Sequence, residues 1–366
     1  MERGSGMVHN HHEIATGLTG AKAWRITYSS HDVNGSLTVS TGIVVAPNVV
    51  SSGAPVMTWC HGTTGLGDAA CPSAQPDPAR ELITYFTAES TQQIDYGVPG
   101  LQAFIDEGWV VCATDYQGLG TDGMHQYIVN RTNALDAVNI VHAAREIVPA
   151  MGARFGCMGW SQGGGAAAAV AELEPSDYGD LVLVGTVPMS PGVPSIALAH
   201  PAGPSAAASD ASLAPDSHLV MLMCGFQAAN PNTLELSDVF TPLGVGIINQ
   251  AWNTQPVHHL NDTIARMFKL NGPIMKAPPE NSNAWQVAIA AGSAGSRKPC
   301  APILMCVDEF DGGTVVPVVW QTAYQEAVEA LGGSVEVRRY PHDDHFSLPA
   351  SCVTDALAWL ANLIRE

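Results

Sequence analysis

The sequence predicts an α/β protein: a mostly parallel, doubly wound sheet with a mainly helical cap inserted between two of its strands. Three observations carry this. Short apolar runs alternate with amphipathic segments from about residue 55 onward. The connection 192–301 is rich in Pro, Ala, Ser, Asn, Met and Trp and is far too long for a structureless loop in a compact domain. Finally, Gly159-Trp160-Ser161-Gln162-Gly163 stands where a strand-like run meets a helix of small residues.

The elements follow in chain order. Residues 1–22 hold histidines and glycines but no basic segment followed by an apolar stretch, so no secretory signal is visible and they read as a poorly ordered leader. In it, His9-Asn10-His11-His12 reads as a solvated polar stretch in preference to a metal site. Residues 24–30 and 36–46 are two antiparallel strands turned at Asn34-Gly35. The runs 55–60, 109–115, 154–160, 181–187, 302–307 and 334–340 read as largely buried strands, mostly apolar and continuous, which suits a parallel sheet covered on both faces. Between them, 96–107, 134–148, 163–173, 316–331 and 350–364 carry helical patterning, and the insertion carries it at 234–240 and 256–268. The chain therefore divides into a leader, core residues 23–191, a cap over 192–301 and core residues 302–366.

Composition narrows the function. With 15 basic against 34 acidic residues the formal charge is −19, which speaks against nucleic acid, because phosphate recognition needs a basic face. Charged residues are 13% of the chain, against about 25% in an average soluble protein, and hydrophobic residues are 46%. No apolar run reaches the ~18 residues a membrane span requires. The eight cysteines show no CxxC spacing, which disfavours a structural zinc site. Cys71 and Cys300, each close to a proline, are the disulfide candidates.

Ser161 is the candidate nucleophile. The bare G-x-S-x-G pattern is weak, but a strand before it and the small-residue run from Gly163 to Ala169 after it supply the strand-turn-helix setting of a nucleophile elbow. Gly159 and Gly163 leave room for a tight turn, and the backbone N–H of Gln162 opens a helix whose dipole favours a developing negative charge. The loop His61-Gly62-Thr63-Thr64-Gly65 follows the strand 55–60, where a second oxyanion donor belongs; Thr63 is that donor and Thr64 its neighbour. His61 reads as a structural residue turning the loop.

A serine hydroxyl needs a base, and the base needs a carboxylate to orient it. Past the strand 302–307, Asp311 in a Gly-rich turn is the preferred acid over Asp308 at the strand end, with Glu309 behind both. Past the last strand, His345 is the preferred base and His342 the lesser candidate; a metal site at His342, Asp343 and His345 lacks further ligands.

Together, His61-Gly62-Thr63-Thr64-Gly65 with Cys71-Pro72-Ser73, Thr114-Asp115-Tyr116-Gln117-Gly118-Leu119-Gly120, Gly159-Trp160-Ser161-Gln162-Gly163-Gly164 and a late Asp and His resemble the secretory lipase family of α/β-hydrolases, which includes the fungal lipase A type and actinobacterial esterases. The resemblance runs from about residue 35 to the end. It implies an α/β-hydrolase fold with a helical lid, a Ser161-Asp311-His345 triad, Thr63 and Gln162 as oxyanion donors, and secretion or a cell-envelope location. The family more often shows G-x-x-D-x-x-V-P at the acid; here Asp311 precedes Pro317 by six residues, which keeps Asp308 open.

The expected activity is cofactor-free and metal-free hydrolysis of a neutral, apolar carboxylic ester, by an esterase or lipase able to meet a lipid interface transiently. Thr64, Trp160, Phe226 and Phe346 are the expected substrate contacts, with further apolar walls from 219–223, Phe240, Trp252, Met267, Phe268 and Trp285. Acyl transfer or amide cleavage on the same scaffold is the alternative chemistry. A non-catalytic binding protein of this fold is the more distant reading, disfavoured because every triad role has an occupant.

Overall fold

Nine strands form one sheet in the computed structural model, which describes residues 4–90, 93–200, 213–310 and 315–365. They are β1 (Val8–Ile14), β2 (Ala21–His31), β3 (Leu37–Pro47), β4 (Ala54–Cys60), β5 (Val110–Thr114), β6 (Met151–Trp160), β7 (Val182–Met189), β8 (Ile303–Asp308) and β9 (Val335–Tyr340). Their order across the sheet is β1-β2-β3-β5-β4-β6-β7-β8-β9. The first three strands and the β3–β5 pair run antiparallel, and every pair from β5 to β9 is parallel. This is the expected α/β-hydrolase sheet.

The hairpin β2–β3 turns where Asn34-Gly35 predicts. Gly35 takes φ 78°, and the Asp32 carboxylate accepts from the N–H groups of Asn34 and Ser36, each at 2.9 Å. The leader departs from expectation, since 1–22 contains a strand. β1 pairs antiparallel with β2, and Ser29 Oγ lies 2.8 Å from His9 Nε2. Its residues between Val8 and Ile14 are exposed on both sides, so backbone pairing holds it and no apolar alternation marks it in the sequence.

Helices α1 (Leu101–Asp106), α2 (Asn130–Ile147), α3 (Gln162–Val170) and α4 (Pro175–Tyr178) accompany the first half of the sheet. One core layer packs α2 and α3 against one face; a second packs Leu101, Phe104, Leu348, Cys352, Ala356 and Leu360 against the other. β4, β6 and β7 are thus covered on both sides.

Between β7 and β8 the chain forms α5 (Pro194–Ala199), α6 (Ser217–Ala229), α7 (Leu236–Val239), α8 (Pro242–Ala251), α9 (Val257–Asn271) and α10 (Ser282–Gly292). These helices bury their own cluster, including Val220, Phe226, Phe240, Ile248, Leu260 and Trp285, and it meets the sheet domain through Leu66, Tyr127 and Val129. Side chains at the sheet hold both ends of this segment. Asn130 Nδ2 donates to Gly192 O at 3.1 Å, and Ala294 N donates to Asn130 Oδ1 at 3.1 Å. The buried Glu172 carboxylate accepts from the N–H groups of Gly295, Ser296 and Arg297. The chain ends with α11 (Val318–Ala330) and α12 (Leu348–Arg365).

All eight cysteines are free thiols, so the expected disulfide candidates are corrected. Cys71 is buried with its thiol 3.4 Å from Asp115 Oδ2, whereas Cys300 is exposed with its sulfur 3.3 Å from Tyr178 OH. Burial pushes the Cys71 thiol up to about 12, with the Asp115 carboxylate adding to the effect. Among the described residues no helix is long and apolar enough to cross a membrane.

Candidate active site

Ser161 joins the end of β6 to the start of α3 with φ 60° and ψ −116°, a conformation that a non-glycine residue holds only where its surroundings impose it. The surroundings are backbone. A Cβ at Gly163 would lie 1.9 Å from Cys60 O, and one at Gly159 would lie 2.0 Å from Gly163 O. The main chain adds three bonds: Ser161 N donates to Met189 O at 2.9 Å, while Ser161 O accepts from Gly165 N at 3.1 Å and from Gly192 N at 2.9 Å. Behind the turn, Ala166, Ala167, Ala168 and Ala169 are fully buried, so α3 lies close on the sheet.

Gln162 is the first residue of α3, and its N–H belongs to the first-turn donors that an α-helix leaves without internal acceptors. Facing this helix start is the loop after β4. There the Thr63 hydroxyl lies 2.8 Å from Tyr127 OH, and Thr64 O accepts from Val257 N at 2.8 Å. His61 turns the loop: Nδ1 is 2.6 Å from Gly62 O, Nε2 is 3.2 Å from Asp115 O, and its own carbonyl accepts from Tyr116 OH. Burial holds its pKa below the ordinary histidine value.

The stretch from Asp115 is an anchor. Asp115 is buried and accepts from Thr41 Oγ1 at 2.7 Å, from Ser73 N at 2.8 Å and from Ser73 Oγ. One carboxyl group thus ties β3, β5 and the 71–75 loop together.

His345 precedes α12 and is 2% exposed, whereas His342 is solvent-exposed. The His345 carbonyl accepts from Trp160 Nε1 at 2.8 Å, and its Nδ1 lies 3.1 Å from Ser190 Oγ. Asp308 Oδ2 is 3.9 Å from that Nδ1, an ion-pair distance longer than a hydrogen bond. Asp308 Oδ1 accepts from Gln321 Nε2 at 2.9 Å, and the same amide lies 3.2 Å from Ser190 Oγ. Asp311 lies outside the described residues. Glu309 pairs with Arg339 at 2.7 Å.

Ser190 and Gln321 are polar groups around His345 that the sequence reading missed. A serine directly after β7, at the carboxyl end of a parallel strand, is the signal that could have pointed to one of them. Gln321 sits in an ordinary amphipathic helix and carries no such signal.

Ser161 and Gln162 border a cavity of about 370 Å³, within the range of small-ligand sites. Tyr127, Ile128, Val193, Leu219, Leu222 and Trp320 are among its walls. None of the four expected substrate contacts is among the described residues that line this cavity. Thr64 is fully buried, and Trp160 is 1% exposed, with its indole committed to the His345 carbonyl. Phe226 belongs to the helical cluster, where its ring edge fills the space a Cβ on Gly292 would need. Phe346 packs instead against Phe86, with ring centroids 4.8 Å apart. Of the expected apolar walls, Leu219 and Leu222 line the cavity, while Phe240 and Trp285 are core of the helical segment.

Residues 85–197 match the model of the secretory lipase family, a segment that includes the Asp115 stretch, β6, Ser161 and α3. Solved structures share the whole architecture. The rice cell wall degrading esterase LipA from Xanthomonas oryzae superposes with a TM-score of 0.70 at 17% identity, covering 98% of this chain and 97% of that one. Candida antarctica lipase A in its closed state gives 0.69 at 13% identity over 98% and 82%. A putative hydrolase from Legionella pneumophila gives 0.69 at 15% identity over 98% of each. No curated protein is significantly similar in sequence.

Proposed function

We propose that this carboxylic ester hydrolase of the lipase and esterase kind works through an acyl-enzyme on Ser161. The conformation of Ser161 on the cavity wall, at the strand-to-helix turn, is the observation that carries the reading. The hydroxyl attacks the ester carbonyl while His345 takes its proton. The oxyanion of the tetrahedral intermediate is held by the N–H groups of Thr63 and Gln162, and the proton passes to the departing alkoxide. Water, activated by the same histidine, then attacks the acyl carbonyl and releases the acid and free Ser161. No metal or cofactor takes part in these steps.

Asp311 is the acid in this reading, by its sequence position beyond β8 next to Gly312 and Gly313; Asp308 lies at 3.9 Å and is engaged by Gln321. Asp311→Asn should lower kcat about 10³-fold or more, because an amide favours the wrong imidazole tautomer. Asp308→Asn should cost less than about tenfold, on the scale of one hydrogen-bond acceptor lost at a neighbour. Steady-state kinetics on a p-nitrophenyl ester would check both, and the reverse ranking would assign the acid to Asp308.

The substrate is a neutral ester. Apolar side chains from α5, α6 and α11 surround the cavity, and nothing in the −19 charge favours an anion. The 192–301 segment acts as the lid over this cavity, and the protein is secreted or held in the cell envelope, as the secretory lipase match suggests.

A further inference from the structure

The tripeptide His125-Gln126-Tyr127 lies in the connection between β5 and α2, and it reaches both halves of the oxyanion hole. His125 Nδ1 is 2.8 Å from Gln117 O; a carbonyl only accepts, so Nδ1 carries the proton and Nε2 is left as an acceptor. The Gln162 amide Nε2 meets that acceptor at 2.8 Å and also donates to Asn133 Oδ1 at 3.3 Å. The Asn133 amide in turn donates to Gln126 O at 3.3 Å. Burial pushes the His125 pKa down to about 3, so the acceptor persists throughout the neutral range.

Two residues on, the Tyr127 hydroxyl lies 2.8 Å from Thr63 Oγ1, and Tyr127 also borders the cavity. Its backbone is fixed from both sides. The His125 N–H donates to Leu66 O at 2.9 Å, and α6 presses on Tyr127 closely enough that a Cβ on Gly225 would lie 2.4 Å from its carbonyl oxygen. Thr63 and Gln162 follow different strands, β4 and β6. Through His125 and Tyr127, one short segment holds each of them.

We propose that His125 and Tyr127 are positioning residues that brace the oxyanion hole, His125 through the Gln162 side chain and Tyr127 through the Thr63 hydroxyl. This rests on the reading of Thr63 and Gln162 as the oxyanion donors. Donors aimed at a developing charge stabilise the transition state far more than the ground state, so loosening them lowers kcat and leaves KM nearly unchanged. Removing such a donor outright costs about 10²–10³-fold; letting it drift should cost about 10- to 100-fold.

The test compares His125→Leu, His125→Gln and Tyr127→Phe with the parent on p-nitrophenyl butyrate, with Tm measured for each and Ser161→Ala run in parallel. His125→Leu removes the acceptor, and His125→Gln offers an amide oxygen in its place. The expected results are a kcat about 10- to 100-fold lower for His125→Leu and about tenfold lower for Tyr127→Phe, each with KM within about threefold. His125→Gln should recover most of the loss. If His125→Leu does not fold, Tyr127→Phe decides the matter on the same criteria. A kcat within about twofold of the parent for folded His125→Leu or Tyr127→Phe, or a loss confined to KM, overturns the brace. Turnover retained by Ser161→Ala would instead overturn the acyl-enzyme reading, so the two failures are distinguishable.

Discussion

Ser161→Ala should lower kcat for a p-nitrophenyl ester by about 10⁶-fold, the loss typical when the nucleophile of a Ser-His-Asp system is removed. On the proposed mechanism the remaining donors and the cavity would still bind an ester, so KM should change little. Nothing about the substitution disturbs the fold, because the turn is held by main-chain bonds from Met189, Gly165 and Gly192. The variant should therefore keep the parent Tm and still bind a substrate analogue. A kcat within about tenfold of the parent would place the chemistry elsewhere.

Gly163→Ala should be the most damaging small substitution in the core. Its Cβ would lie 1.9 Å from Cys60 O, 2.4 Å from Cys60 C and 2.6 Å from His61 O, all backbone atoms that have no rotamer to change. Relief requires α3 to move off β4, which parts Ser161 and Gln162 from the loop bearing Thr63. Overpacking a core commonly costs about 1–3 kcal/mol; against backbone at the centre of a covered sheet we expect more than about 3 kcal/mol and a Tm lowered by several degrees. The folded fraction should also lose more than about 100-fold in kcat, because a displacement of about 1 Å at a reacting centre has effects of that size. Gly246→Ala on α8 is the matched control. No atom lies within 4 Å of the added Cβ, so Tm should hold or rise slightly, by the ~1 kcal/mol that alanine gains over glycine in a helix. Thermal melts and kinetics of the two variants would check the contrast, and a Gly163→Ala protein of parental Tm would contradict it.

Legibility followed burial. The runs 55–60, 154–160 and 302–307 read as strands because both faces of the sheet are covered and nearly every position is apolar, and the structure has β4, β6 and β8 there within a few residues. β1 was illegible for the opposite reason: between Val8 and Ile14 its side chains face solvent, and the ladder to β2 is its main tether. α6 was missed because a helix in the middle of a cluster is apolar on several sides, which erases the 3.6-residue signature, and α10 because apolar Val287, Ala290 and Ala291 sit on its exposed face. α9, with one face in solvent, keeps its signature, and the pattern over 256–268 matches it.

The site divides in the same way. The elbow at Ser161 and the loop at 61–65 were legible because close backbone packing demands glycines at set positions. The cavity walls were not, since residue type alone does not say whether Phe226 faces a ligand or Gly292. The link between His345 and Ser190 spans 155 residues, and that between Gln321 and Ser190 spans 131; each forms only when the sheet brings the ends of β7, β8 and β9 together. His125 was equally silent, as a histidine in a polar loop whose partner at the elbow appears only in three dimensions.

The most direct test of an acyl-enzyme on Ser161 is intact-protein and peptide mass measurement after brief mixing with p-nitrophenyl butyrate and acid quench. The account predicts one butyryl adduct per chain on the peptide containing Ser161, and none on the Ser161→Ala protein. An actively turning-over enzyme with no adduct, or with the acyl group on another residue, would contradict it.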